Sequence, residues 1–493
     1  MIFKKVFCLF LSVMMIISAF SAVAVSANAE NGVSVAAFCG GQPPEKPDGE
    51  MPGEPPEGMG GPGGGMGTPP DGTPGGKGGP GGMPGGGSGS SDIDYSGAVE
   101  ITSADSQDGQ TYETSAVDQS ALLISTAEDV TVTNPTVVKS GSSDGGDSCN
   151  FYGLNAAVLV KDGSTTTITG GTITSDADGA NGVFSYGGNG GRNGAEGDGT
   201  TVIIRDTVIT TTGSGSGGIR TTGGGTTYAY DLTVTTSGGS SAPIRTDRGG
   251  GTVHVDGGSY TSNGLGSPAI YSTADITVEN AVLTSNLSEG VCIEGKNSIT
   301  LLNCDLTASN SKCNGNATFL DTIMIYQSMS GDADSGTSSF TMTGGSLTSK
   351  NGHVFHVTNT NAIINLSNVE IRNEDVSGVL LSVCDDGWNG AGNVAALNAD
   401  GQELSGTILV GSNSSLTLNL TNGSTFTGTV GGEIVNAKGN TVSTEVGTVD
   451  VTLDSTSTWS LTGDTYVSSF SGDTANISFN GYTLYVDGVA VNP

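Results

Sequence analysis

Basic residues are scarce in this chain. Lysine and arginine together number 16, against 49 aspartates and glutamates over 493 residues, which gives a formal net charge of −33 at pH 7. A charge of this sign and size repels polyanions, so nucleic acid is excluded as a partner class. The acidic surplus maintains solubility, and acidic loops are also where exported proteins hold Ca²⁺.

Histidine is rarer still, since the chain contains only His254, His353 and His356. No zinc pattern, phosphate-binding loop or hydrolase-like order of serine, histidine and aspartate is apparent in the sequence. His254 lies on a strand of the repeat described below, where we expect it to point outward. The seven cysteines are widely spaced and contain no CxxC pair, which excludes a small disulfide scaffold.

Long apolar runs are absent except at the start of the chain. Residues 6–25 carry no charge, follow Lys4 and Lys5, and precede a small-x-small cleavage site at 27–29. This arrangement predicts a secretory signal peptide over residues 1–29, and hence an extracellular protein that is either secreted freely or associated with the cell surface. No later segment is apolar enough to cross a membrane, so we expect no membrane span after cleavage.

Proline is rare outside one segment. Twelve of the 16 prolines fall between Pro43 and Pro84, among glycine, methionine and glutamate. Such a composition cannot bury enough apolar area to offset its ordering entropy. We therefore predict a disordered Pro/Gly/Met-rich acidic linker over 30–91 and a folded domain over 92–493.

The folded domain is built from a short repeat. Each copy has alternating apolar residues, a two-residue bend and a second alternating stretch, as in ITVENAVL at 276–283 and ITLLNCDL at 299–306. Alternation with period two indicates β-strands. Successive bends are separated by 26, 23 and 23 residues at Asp231, Gly257, Asn280 and Asn303. A period in the low twenties is typical of one coil of a β-solenoid.

The repeat predicts an all-β, right-handed parallel β-helix of roughly 15 coils, because stacked coils bury their inward apolar residues and pair every strand. Tandem β-sandwich domains would need a period near 90–100 residues. Longer intervals between bends, as from Asn303 to Gly344, indicate loop insertions, and the interval from Asn368 to Asn422 indicates a degenerate coil. Residues 477–488 predict a hairpin that caps the last coil.

Three segments carry a family resemblance: SAPIRTDRGGG at 241–251, GSPAIYSTA at 266–274 and EGVCIEGKNS at 289–298. In these the domain resembles the pectate-lyase-like β-helix superfamily and, more narrowly, the secreted adhesin-like, carbohydrate-binding β-helix proteins of anaerobic gut bacteria. The resemblance implies the architecture and not one activity, because the scaffold carries lyases, hydrolases and adhesins. A polygalacturonase-like site would show Asn-Thr-Asp, Asp-Asp, Gly-His-Gly and Arg-Ile-Lys motifs, and only Asp385-Asp386 is present.

Alignment of the coils predicts a candidate ligand-binding face. Placing four isoleucines in one inward column (Ile219, Ile244, Ile270 and Ile293) stacks a neighbouring outward column of Arg220, Arg245, Tyr271 and Glu294. The next outward column on that face contains Thr222, Asp247, Thr273 and Lys296. We expect an exposed line of six ligand-binding residues: Arg220, Arg245, Asp247, Tyr271, Glu294 and Lys296. Arginine forks bind carboxylates and tyrosine packs on sugar rings. A ladder of salt bridges involving Arg248 as well is the alternative.

One loop suggests a metal site. Asp176, Asp178 and Asn181 resemble the beginning of a calcium loop, although no glutamate follows at the distance that an EF-hand requires. A polar turn is the alternative. No cofactor is certain, and Ca²⁺ is the candidate.

The sequence favours a non-catalytic, monomeric, adhesin-like protein that binds a polysaccharide or host glycan through a β-helix face. One alternative is a polysaccharide lyase or glycoside hydrolase that acts on an acidic polysaccharide. Another is a structural surface spacer.

Overall fold

The computed structural model describes residues 93–190, 196–313, 315–328, 330–388, 390 and 392–491. The predicted signal peptide and linker, at 1–29 and 30–91, lie outside the described residues. Within these ranges the chain forms one short α-helix, Asp147–Tyr152, one 3₁₀ turn, Thr474–Asn476, and otherwise strands and turns. No helix of this described part is long and apolar enough to cross a membrane.

The strands stack in three parallel sheets, in the repeating order first, second and third sheet along each coil. In the described part of the chain, the first sheet contains 15 strands: Ser96–Ile101, Gln119–Ser125, Val158–Lys161, Val183–Tyr186, Ile219–Thr222, Ile244–Thr246, Ile270–Ser272, Val291–Glu294, Asp321–Tyr326, His353–Thr358, Val379–Val383, Glu403–Val410, Thr425–Gly431, Thr458–Ser460 and Ile477–Ser478. The second contains 14 of the described strands: Asp105–Asp108, Val130–Thr133, Thr165–Thr169, Thr201–Arg205, Gly225–Tyr230, Gly251–Asp256, Asp275–Glu279, Ser298–Leu302, Thr337–Thr343, Asn361–Ser367, Asn393–Asp400, Ser414–Thr421, Thr448–Leu453 and Ser469–Ser471. The third, again counting described residues, contains ten: Thr111–Thr114, Thr136–Lys139, Thr172–Ser175, Val208–Thr211, Thr233–Thr236, Ser259–Ser262, Val282–Ser285, Asp305–Ala308, Ser346–Ser349 and Glu370–Asn373. The predicted right-handed parallel β-helix of roughly 15 coils is confirmed.

The bend between the second and third sheets explains the recurring Asn, Asp and Gly. Each of these residues has a positive φ, for example 54° at Asn280, 51° at Asn303 and 65° at Gly344. A left-handed backbone is costly for most side chains, and Asn, Asp and Gly adopt it most readily. The degenerate coil predicted between Asn368 and Asn422 is present, and its bend is at Gly401, with a φ of 59°.

The third sheet ends at Asn373, after which the coils have two longer sheets. In these coils a second-sheet strand is followed by a first-sheet strand, with no third-sheet strand between them among the described residues. The first-sheet strands Glu403–Val410 and Thr425–Gly431 are examples, and they pair with each other. A terminal hairpin is present but lies later than the predicted 477–488, because Ile477–Ser478 pairs parallel in the first sheet. The hairpin pairs Leu484–Val486 antiparallel with Val489–Val491, and Leu484–Val486 also pairs parallel with Thr465–Val467.

The core is a continuous apolar column inside the coils. Aligned residues of the second sheet such as Val253, Ile276, Ile299, Phe340 and Ile364 are all buried. Full burial of such a side chain contributes about 1.5–3 kcal/mol. Ile270 and Ile293 are both fully buried, as the sequence predicted.

Peripheral segments cover the outer face of the first sheet. Three small apolar clusters form there, centred on Phe151 and Tyr152 of the helix, on Trp388, and on Phe319 with Ile434. These residues come from the helix, from loop insertions and from an antiparallel hairpin, Glu433–Val435 with Thr441–Thr444. The first sheet is therefore the face on which side chains are enclosed rather than exposed.

Candidate functional site

One outward column of the first sheet carries three of the six candidate ligand-binding residues. The backbone register places Arg220 level with Arg245, Arg245 with Tyr271, and Tyr271 with Cys292. The column continues through Met324, His356 and Ser382. Before Arg220 the column contains Glu100 and then three apolar residues, Leu123, Leu159 and Phe184, so its run of polar side chains starts at Arg220.

The predicted register was wrong in the last of the four aligned coils, which contains strand Val291–Glu294. Ile270 pairs with Val291 rather than Ile293, so Cys292 and not Glu294 lies above Tyr271. Val291 and Ile293 are both buried and inward, and a shift of two residues preserves the alternation. Hydrophobic pattern alone therefore cannot distinguish the two alignments. Glu294 instead pairs with Tyr326 in the second outward column, in the position predicted for Lys296.

The predicted exposure of these side chains was also wrong. The side chains of Arg220 and Asp247 are 0% and 3% exposed, and that of Arg245 is 14% exposed. They point away from the core, but the peripheral segments cover them. Sequence alternation identifies which side of a strand a residue takes, but it does not reveal what covers that side.

Arg220, Asp247 and Arg245 form a buried ion triad. Nη2 of Arg220 lies 2.5 Å from Oδ2 of Asp247, and Nε of Arg245 lies 2.6 Å from the same oxygen. Burial lowers the pKa of Arg220 to about 10. Burial alone would raise the pKa of Asp247, but the two guanidinium groups hold it below its usual value. The ladder of salt bridges, which is the alternative interpretation of this face, therefore describes these three residues. Their side chains are buried rather than exposed to solvent.

An aromatic cavity adjoins the triad. It has a volume of ≈ 230 Å³, and Arg245, Tyr271, Tyr326 and Trp388 contribute to its wall. The guanidinium carbon of Arg245 lies 4.5 Å from the Tyr271 ring centroid, and the Tyr326 and Trp388 rings are 4.9 Å apart. Arg245 is held by Asp247 and by the Ser240 carbonyl, which accepts from Nη1 at 3.2 Å. The wall is therefore pre-ordered.

Glu294 supports the aromatic wall from behind. Its carboxylate accepts hydrogen bonds from the hydroxyl groups of Tyr271, Tyr326 and Ser328. Burial, together with the Glu294 carboxylate, raises the pKa of Tyr271 well above its usual value. Burial, with Tyr271 and Glu294, does the same for the pKa of Tyr326. Both tyrosines are therefore neutral hydrogen-bond donors at physiological pH.

Lys296 lies apart from the cavity. Its Nζ pairs with Asp334 at 2.9 Å, and both side chains are nearly half exposed. The same loop supplies Asp332, whose Oδ1 lies 2.6 Å from Nη2 of Arg248, while the Arg248 guanidinium lies over Phe151 at 4.3 Å. These two ion pairs attach the loop after Ser330 to the coils.

The structure does not bring the calcium candidates together as free ligands. Asp176 and Asp178 are exposed, whereas Asn181 is fully buried. Oδ1 of Asn181 accepts from the Gly217 amide at 2.9 Å and from Nη1 of Arg220 at 3.1 Å. Within the described ranges, no group of three or more His, Cys, Asp or Glu side chains could hold a metal ion.

Sequence reasoning missed a buried cluster of serine, histidine and aspartate. Nδ1 of His356 lies 2.8 Å from Oγ of Ser382, and Nε2 of His356 lies 3.2 Å from Asp386. Nδ1 of His353 lies 2.7 Å from the same Oγ. Ser382 has one proton, so it donates to one ring and accepts from the other. Along the chain these residues come in the order His, Ser, Asp, and they lie together only in the folded structure.

The centre of the cluster is closed to solvent, although His353 at its edge is only partly buried. Ser382 and His356 are fully buried, and the Phe319 ring packs 4.9 Å from that of His356. Burial, followed by the neighbouring His356, lowers the pKa of His353 to about 3, so its ring is neutral. Asp386 also accepts from the Thr318 amide and hydroxyl at 2.7 Å. The cluster therefore fastens a peripheral segment to the first sheet.

His254 is exposed on the second sheet, as predicted, and stacks on Tyr228 with the ring centroids 5.2 Å apart. The buried cysteines Cys149, Cys292, Cys304 and Cys384 are free thiols. No protein-family model, curated protein or solved structure matches this chain. Its three parallel sheets classify it as a parallel β-helix.

Proposed function

We propose that this protein is a secreted, non-catalytic β-helix that binds a saccharide in the aromatic cavity of the first sheet. The observation that carries the proposal is the convergence of Tyr271, Tyr326, Trp388 and the Arg245 guanidinium on one cavity. Aromatic rings offer an apolar surface with a polar edge, which suits the mixed surface of a sugar. Ligand sites are typically such concave surfaces with a few fixed polar groups.

The size of the cavity limits what it encloses. At ≈ 230 Å³ it is smaller than the roughly 300–1,000 Å³ of pockets that surround drug-sized ligands. One sugar ring of a chain therefore fits, with the rest of the chain outside. This is the geometry of recognition along a polymer rather than of a closed metabolite site.

The extracellular setting and the adhesin-like role rest on the sequence. The predicted signal peptide over 1–29 and linker over 30–91 would present the coils outside the cell. The resemblance to pectate-lyase-like and adhesin-like β-helices supports a carbohydrate ligand. Binding rather than cleavage is favoured because the carboxylate behind the cavity, Glu294, is engaged by hydroxyl groups.

The test compares wild type, Trp388→Ala and Tyr326→Phe on a glycan array, with Tyr482→Ala as the control at an exposed tyrosine near the C-terminus. We expect Trp388→Ala to weaken binding roughly tenfold, equivalent to about 1.4 kcal/mol, while Tyr482→Ala binds as wild type. Tyr326→Phe keeps the ring and removes only the hydroxyl that donates to Glu294, so we expect it to bind as wild type. The thermal midpoint of each variant checks that any loss of binding does not come from misfolding.

Three results would contradict the proposal. Equal binding by wild type and Trp388→Ala would place the ligand elsewhere. Release of reducing ends or unsaturated products from polysaccharides would support the lyase or hydrolase alternative. Failure of wild type to bind any arrayed glycan would support the spacer alternative.

A further inference from the structure

We propose that the saccharide is an uncharged chain that runs from the aromatic cavity along a glycine- and serine-lined groove across successive coils. This inference rests on the proposed function, and it adds the ligand's charge, its direction and its length. The groove follows the turns between the third and first sheets. Ser240 lines both the aromatic cavity and a neighbouring cavity of ≈ 400 Å³, so the two adjoin at this residue.

The turns that form the groove are stacked in register. The Ser143 amide donates to the Asp178 carbonyl at 3.0 Å, and the Gly179 amide donates to the Ser214 carbonyl at 2.8 Å. The next two steps join Gly215 to Gly239 at 2.8 Å and Ser240 to Leu265 at 3.3 Å. Four steps of about 4.8 Å extend the groove by about 19 Å parallel to the stack.

Small residues keep the groove open. A Cβ added at Gly215 would come no closer than 3.7 Å to another atom, and one added at Gly239 no closer than 3.6 Å. Gly239 lies between Gly215 and the turn that carries Gly266, which lines the aromatic cavity. A chain leaving the aromatic cavity would therefore pass over Gly239. Repeated turns at the coil spacing offer similar backbone surfaces to successive sugar units.

The charges along the groove favour an uncharged ligand. The charged residues that line its far end in the described chain are Asp144 and Asp178, both carboxylates. Asp178 is held in place because its Oδ1 accepts from the Ser214 amide at 2.7 Å. Arg245 already donates from each of its three nitrogens, to Asp247 and to the Ser240 carbonyl. A uronate chain that ran along the groove would meet repulsion from Asp144 and Asp178.

Gly239 allows a test with little disturbance of the fold. Its φ lies outside the left-handed region, and its Cβ would make only ordinary contacts, so Gly239→Leu places a side chain in the groove without backbone strain. Gly431 provides the matched control on a distant coil, because an added Cβ there meets no atom within 4 Å. Gly431→Leu therefore makes the same chemical change away from the groove.

The experiment measures binding by calorimetry of cello-, manno-, xylo- and chito-oligosaccharides of one to six units, and of oligogalacturonates. For the series that binds, we expect the hexasaccharide to bind wild type at least tenfold more tightly than the disaccharide. Gly239→Leu should remove that gain and leave disaccharide affinity unchanged. Gly431→Leu should behave as wild type, and oligogalacturonates should bind more weakly than neutral chains.

Three outcomes would overturn the inference while leaving the proposed function intact. These are equal affinity for short and long chains, unchanged hexasaccharide binding by Gly239→Leu, or preference for oligogalacturonates. In each of them Trp388→Ala would still weaken disaccharide binding. Absence of binding to every probe, with Trp388→Ala indistinguishable from wild type, would overturn both.

Discussion

Arg220 and Asp247 form an ion pair whose nitrogen and oxygen lie 2.5 Å apart in a site almost closed to solvent. A second guanidinium, that of Arg245, shares the same carboxylate oxygen. One carboxylate therefore compensates two cations. This pairing makes Asp247 the residue on which the outer layer of the first sheet depends.

Replacing Asp247 with asparagine should destabilise the protein by about 3–5 kcal/mol, because it leaves two buried guanidinium groups without a counter-charge. Chemical denaturation would measure the loss. Asp334→Asn is the control, since it breaks the half-exposed pair with Lys296 and should change stability by less than about 1 kcal/mol. Equal effects of the two changes would contradict the buried triad.

Ile293→Asp should cost about 3–5 kcal/mol, because it places a charge in the core without a partner. Val282→Asp introduces the same charge at a third-sheet residue that is 49% exposed, and it should change stability by about 0.5 kcal/mol or less. The thermal midpoints of the two variants measure the difference. If Ile293→Asp had the same thermal midpoint as wild type, the inward assignment of Ile293 would be wrong.

Asp321 should make stability fall as pH rises. Its carboxyl is fully buried, and neither oxygen has a hydrogen-bond partner among the described residues. Burial, and then the neighbouring Glu289, raises the pKa of Asp321 well above its usual value. The folded protein thus holds this proton more tightly than the unfolded chain does. The resulting stabilisation is complete below the unfolded pKa of about 3.9 and is lost as pH rises through the folded pKa.

Asp321→Asn should therefore flatten the fall in thermal midpoint between about pH 4 and pH 9, and should be relatively more stable at the alkaline end. The exposed Asp108→Asn serves as the control and should keep the wild-type slope. Parallel slopes for wild type and Asp321→Asn would show that this carboxyl is not the titrating group.

Ser382→Ala should cost about 1–3 kcal/mol, because it leaves ring nitrogens of both His353 and His356 without their shared partner. The exposed Ser106→Ala should be nearly neutral. Denaturant titration measures the cost, and ¹⁵N NMR of the imidazoles reports whether their protons rearrange. Unchanged imidazole signals in Ser382→Ala would contradict the shared hydroxyl.

The coil architecture could be predicted because short segments of the sequence determine each bend and each strand. The left-handed bend selects Asn280, Asn303 and Gly344, and alternation selects the inward residues between them. The alignment of first-sheet strands between neighbouring coils was predicted correctly from Ile219 through Ile244 to Ile270. It failed where Val291 and Ile293 are equally apolar, because only the pairing of whole strands distinguishes them.

The candidate site was less predictable, because its cover is not periodic. Arg220, Arg245 and Tyr271 were correctly grouped from the repeat. Tyr326 ends a first-sheet strand two coils beyond Tyr271. Trp388 comes from the segment after strand Val379–Val383, and it meets the other two only when that segment folds over the first sheet. The loop insertion was visible as a long interval after Asn303, but its destination was not. Hydrophobic periodicity says nothing about where an insertion packs.

The terminal hairpin has a consequence for assembly. A parallel stack grows by adding strands to its last coil, and an open last coil would accept strands from another molecule. Here Val489–Val491 turns back antiparallel on Leu484–Val486, and the outermost strand has three residues. Such a short, reversed edge presents a poor template for continued parallel growth. Among the described residues the first and second sheets also end in short strands at this end of the stack, Ile477–Ser478 and Ser469–Ser471, so every edge offered there to another molecule is short.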